Sequence, residues 1–223
     1  MKVSTVPQSG RCGPVVYART RFGLIARIWV KPRNPRTPNQ QNNRANCSTV
    51  AKHWRALSDD QRNSWCVAAV GKYSINTLGV QVPRTAYGYY MSINLRQAHL
   101  GLPLFDLPPA PAVFSPNPVA ELVAINTGDT IIVKARVLST PAQFTLVQGA
   151  APQSSGVRFV QHFPFLGLLT PPVDGWSDIT ALIVARYGNL QAGKRIFIRF
   201  CQQIDGMTDV PKLVSVLIPA ATP

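Results

Sequence analysis

Chemistry in this chain would have to come from few groups. There are three histidines, His53, His99 and His162, and nine carboxylates in 223 residues. General acid–base catalysis needs two such groups within reach of one proton, and here the histidines are far apart in sequence. Asp59 and Asp60 open a helix, where they complement its dipole; the other acids fall at turns. No P-loop, G-x-G-x-x-G, H-E-x-x-H or G-x-S-x-G spacing occurs, and Ser154-Ser155-Gly156 reads as a turn. Cys12, Cys47, Cys66 and Cys201 form no C-x-x-C pair, so no metal site is expected. Cys47 and Cys66 read instead as small core residues. The sequence points away from an enzyme, a cofactor and a small-molecule substrate.

What the residues do support is attraction of anions. The formal net charge is +14, and it is concentrated: through Gly101 there are fifteen Lys and Arg against Asp59 and Asp60, and afterwards eight against seven acids. Such a one-sided field draws nucleic acid or acidic protein. The candidate partner-binding residues begin with Arg19, Arg21 and Arg27, interleaved with Tyr17, Phe22 and Trp29. Lys31, Arg33 and Arg36 continue them, and Arg44, Lys52, Arg55 and Arg62 follow.

The elements that must carry these residues follow from local pattern. Residues 1–13 read as a loose arm. Val15–Arg19 and Leu24–Val30 are rich in β-formers around Arg21-Phe22-Gly23, which predicts a hairpin. Lys31 to Pro38 is extended, because each proline disfavours helix in the residue before it. Thr37 and Pro38 are the N-cap and first residue of a helix to about Leu57. Cys47, Val50, Ala51, Trp54 and Leu57 form its apolar stripe. Ser58-Asp59-Asp60-Gln61 is a capping box for a second helix, to about Val70. Thr85–Leu100 is a third helix, with Tyr87, Met91, Leu95 and Ala98 on one face, Tyr90, Ile93 and Gln97 beside it, and Gly101 and Pro103 as its stop. Trp54, Leu57 and Trp65 are the expected structural core.

Leu102–Pro118 holds six prolines and reads as a semi-rigid spacer. The expected boundary gives a basic anchoring module over 1–107 and a second module over 108–223. Strand signals recur beyond it, at 120–125, 130–137, 142–147, 157–163, 195–203 and 212–218, separated by Pro and Gly turns. Residues 178–187 fit either a short helix or a strand. The fold class read from this is α+β: an N-terminal β-hairpin with three helices, then an antiparallel β-sandwich.

Three resemblances bear on function. Asn34-Pro35-Arg36-Thr37-x-x-Gln40, Arg44 and Trp54-Arg55-x-Leu57-Ser58-x-x-Gln61-Arg62-x-x-Trp65 resemble a phage- and prophage-encoded, virion-associated family. The match covers roughly residues 13–103. The Trp54–Trp65 stretch is similar to the middle of an HMG box, a DNA-bending module, although a β-hairpin precedes it. Leu190-x-Ala192-Gly193-Lys194-x-Ile196-Phe197-Ile198-Arg199 resembles a strand entry of fibronectin type III domains, with Ile196 in place of their corner tyrosine.

These resemblances imply a structural or accessory protein of a phage-type virion, capsid or tail. It would be homo-oligomeric, in contact with itself and other structural subunits, made in the host cytoplasm and residing in the particle. The alternative is an architectural nucleic-acid-binding protein using the helix pair and basic arm. No apolar stretch reaches membrane-spanning length.

Overall fold

The computed structural model describes residues 9–31, 34, 36–76, 78–128, 130–139 and 144–220. The chain divides into two compact units, 1–109 and 110–223. Helices and antiparallel sheets occur together, so the class is α+β.

The first unit opens with three antiparallel strands: β1 (Gly10–Cys12), β2 (Val15–Thr20) and β3 (Gly23–Ile28), in that order across the sheet. The expected hairpin is thus the larger part of a meander, and part of the expected loose arm is a strand. Gly13 at φ 57° and Gly23 at φ 114° provide the turn conformations that side chains resist. Then come α1 (Pro38–Ala56), α2 (Asp59–Ala69), a small hairpin of β4 (Tyr73–Ile75) with β5 (Gln81–Pro83), and α3 (Ala86–His99).

Local chemistry sets the helix ends. Thr37 Oγ1 accepts from the Gln40 N–H, with Pro38 at the first position. The Ser58 hydroxyl accepts from the Gln61 N–H, and the Gln61 side chain accepts from the Ser58 N–H at 2.8 Å. The core comprises Val50, Leu57, Trp65, Ala69, Tyr90 and Ile93, with Trp54 half-buried. Two sequence expectations are corrected. Cys47 and Cys66 are exposed thiols on the solvent side of their helices. The buried face of α3 is Tyr90, Ile93, Asn94 and Gln97, while Tyr87 is exposed.

An apolar pattern does not pick out Asn94. Asn94 is buried because it holds backbone. Its Oδ1 accepts from the Phe105 N–H at 2.7 Å, and Trp65 Nε1–H donates to the Asp106 carbonyl at 2.8 Å. The start of the expected spacer is therefore fastened to the helices.

The second unit contains two antiparallel sheets. One is β6 (Val119–Asn126), β7 (Ile131–Val137) and β11 (Trp176–Asp178), in the order β11-β7-β6. In the other, β12 (Lys194–Ile204) pairs with β8 (Phe144–Gly149), β14 (Lys212–Leu217), β9 (Gln153–Ser154) and β13 (Met207–Thr208), and β10 (Phe165–Leu168) lies outside β8. Val119, Leu122, Val133 and Ala135 of the first sheet share a cluster with Val147, Ile196, Ile198 and Phe200 of the second. Ile179 and Ile183 join it at the start and middle of α4 (Thr180–Tyr187). The ambiguous 178–187 segment is thus helical beyond Asp178, whose carboxylate accepts from the Thr180 N–H at 2.8 Å. The strand expected at 157–163 does not form; strands lie on either side of it, at 153–154 and 165–168. Within it Arg158 and Phe159 are both exposed, so no alternating buried face exists to hold it in a sheet.

Candidate partner-binding surface

The meander, like the β4–β5 hairpin, has no buried residue in its strands. None of the described residues 9–31 is buried. Phe22 is 78% exposed, Ile28 76%, Val30 75% and Trp29 40%. A sheet this small needs a face covered to be stable, so these side chains mark a surface built for contact.

Register assigns its two faces. Opposed pairs of an antiparallel sheet point to the same side. Cys12↔Val15↔Ile28, Gly10↔Tyr17↔Ala26 and Arg19↔Leu24 lie on one face, which is almost wholly apolar. Arg11↔Val16↔Arg27, Ala18↔Ile25 and Thr20↔Gly23 lie on the other. The Trp29 N–H donates to the Pro14 carbonyl, continuing the pairing and placing Trp29 beside Arg27 on this second face. The Arg11 guanidinium sits 4.0 Å from the centre of the Trp29 ring, and its Nε–H donates to the Gly13 carbonyl. At the turn, Arg21 lies 4.6 Å over Phe22.

The structure distributes the expected cations unevenly. Arg19, Arg21 and Arg27 are exposed on the sheet, and Lys31 is exposed just beyond it. Arg33 lies outside the described residues. Arg36 is exposed and left-handed at φ 50° ahead of the Thr37 cap. Arg44 is exposed and donates to the Asn34 side-chain oxygen at 3.1 Å; Lys52 and Arg55 are exposed on α1. Arg62 is different. It donates to the Trp54 and Arg55 carbonyls and pairs with Asp59 at 3.0 Å. It closes the end of α1 and is committed to the fold.

No Asp or Glu precedes Asp59, while eleven Lys and Arg do. The sheet, arm and first helix thus carry no acid of their own. Arg11 joins the surface without having been among the expected cations, because Gly10-Arg11-Cys12 has little strand propensity; the Gly13-Pro14 turn is the signal that points to it.

A second polar cluster lies inside the helices. His53 bridges the Tyr90 hydroxyl, 2.5 Å from Nδ1, and Asp106, 3.0 Å from Nε2. Partner chemistry assigns the proton to Nε2, facing the carboxylate, so that Nδ1 accepts from Tyr90. The Tyr90 ring packs on Trp54 and Trp65, with centroids 4.8 and 5.1 Å away. Burial, then the Asp106 carboxylate, then Tyr87 push its hydroxyl up to about 12. An Asp–His–hydroxyl string is familiar from nucleophilic catalysis. Here the hydroxyl is fully buried, and the string joins α1, α3 and residue 106. No motif or spacing links these three residues in the sequence; the one signal is that Asp106 is the only acid between residues 61 and 120.

Among the described residues no three His, Cys, Asp or Glu side chains gather as a metal site. No helix among them is long and apolar enough to cross a membrane. Comparison with family models, curated proteins and solved structures finds no match.

Proposed function

We propose that this chain is a structural or accessory subunit of a phage-type virion or similar assembly, anchored through its N-terminal sheet. The observation that carries the reading is a sheet with one nearly continuous apolar face and no buried residue. Cys12, Val15, Tyr17, Leu24, Ala26 and Ile28 present that face to a neighbouring subunit, and the free edge of β3 allows strand addition. The second unit, whose two sheets share one core, is read as a β-sandwich of fibronectin type that packs against neighbours or is displayed. Gly193 at φ 74° entering β12 supports that likeness, and Ile196, buried in place of the corner tyrosine, departs from it. The HMG-like reading of the helix pair has less support. Trp65 is wholly buried and Trp54 packs on Tyr87 and Tyr90, so helix packing alone accounts for the tryptophans that carry that resemblance.

The test is electron microscopy of the purified full-length chain and of Ile28→Glu. Ordered particles or filaments from the parent, lost in the variant with secondary structure intact by circular dichroism, are the expected result. A parent that stays monomeric at high concentration, alone and with nucleic acid, would contradict it.

A further inference from the structure

The face of the sheet opposite the apolar one has its own chemistry. It carries Arg11 and Arg27, both exposed, around Trp29, with Val16, Ala18 and Ile25 beside them. One side of the indole is covered by the Arg11 guanidinium, and Trp29 as a whole remains 40% exposed. Two charges of one sign beside a stacking ring match the needs of a polynucleotide strand: cations for phosphates, a π-surface for a base. The surroundings favour this over an acidic protein. Arg and Trp occur at both kinds of interface, but nucleic-acid interfaces are much more positively charged than protein–protein ones. Here eleven cations precede the first acid.

We propose that this second face binds a single nucleic-acid strand, with Arg11 and Arg27 on phosphates and the open side of Trp29 under a base. The inference rests on the reading of the sheet as the anchoring element, and it gives the sheet's two faces different partners: protein on the apolar side, nucleic acid on the basic side. Phosphate binding carries no sequence information, so affinity is insensitive to base order.

The experiment is fluorescence anisotropy with a labelled single-stranded oligonucleotide of mixed sequence, using the full-length chain over a range of salt. The affinity of the parent falls linearly on a log–log plot. The R11Q/R27Q variant lowers that slope by about 1.4, at ~0.7 for each phosphate no longer neutralised. W29A weakens binding roughly tenfold with little change of slope. R158Q, which removes an exposed cation of the second unit, behaves as the parent. R11Q and R27Q singly are each expected to take half the slope change, so the result does not depend on one variant folding. Circular dichroism matched to the parent confirms that each is intact. Parent-like slopes in R11Q/R27Q together with parent-like affinity in W29A would overturn the proposal. So would polyglutamate of equal charge binding as tightly and weakening as much in W29A, which would assign the face to an acidic protein. Electron microscopy of the same samples keeps the two readings apart. Ordered particles with no oligonucleotide bound overturn the nucleic-acid proposal alone; binding without assembly supports it and counts against the structural-subunit reading.

Discussion

Removing one oxygen from Tyr90 should invert the stability order of parent and variant across the alkaline range. The Tyr90 hydroxyl is buried and donates to His53 Nδ1. Tyr90→Phe leaves that nitrogen without its donor, at a cost of about 1–2 kcal/mol at pH 8. In the folded parent the hydroxyl is raised to about 12 from 10.0, chiefly by burial. A raised value means that the folded state holds the proton more tightly. The parent's stability is therefore complete below pH 10 and falls as pH rises towards and through 12. Two units correspond to about 2.7 kcal/mol in the limit, of which roughly 1.4 is lost by about pH 11. The phenylalanine variant has no such proton. The gap between the two proteins should close near pH 11 and reverse by about pH 12. Urea unfolding followed by tryptophan fluorescence reads this directly, since Trp29, Trp54 and Trp65 lie in the first unit and only Trp176 in the second. A gap that stays constant over that alkaline range would refute the burial argument for Tyr90.

Other outcomes follow from the same packing. Asn94→Ala strands the part-buried Phe105 N–H and should cost the first unit about 1–3 kcal/mol, seen as a lower urea midpoint and faster proteolysis near residue 105. Ser58→Ala removes one half of the capping box and should cost about 1 kcal/mol by the same unfolding assay. Ile183→Ala opens a cavity in the core shared by both sheets of the second unit and should cost about 2–5 kcal/mol. Calorimetry should show its effect in the transition of that unit alone.

The parts of the fold legible in the sequence are those fixed by neighbours along the chain. Thr37-Pro38, the Ser58–Gln61 box and Gly101 name helix ends, because each satisfies backbone groups within four residues. What sequence hides is set by partners far away. Gly10–Cys12 is a strand because Val15–Tyr17 lies beside it. Leu182-Ile183-Val184 favours extended backbone locally, yet Ile179 and Ile183 sit one helical turn apart in a core that takes both. Asn94 is polar, so an apolar pattern does not mark it; its burial depends on Phe105, eleven residues on. At the candidate surface the cations of Arg19–Arg55 are readable as a class. Their sorting is not: only the sheet register pairs Arg11 with Arg27 beside Trp29, and only the helix crossing commits Arg62 to the α1 carbonyls.

The central claim is that the N-terminal sheet gains its stability from partners rather than from its own unit. Amide hydrogen exchange of the full-length chain, dilute and in the assembled state, tests it most directly. Residues 15–28 should exchange rapidly in the dilute chain and become protected on assembly, while β8 and β12 stay protected in both. Strong protection of 15–28 in the dilute, monomeric chain would contradict the account.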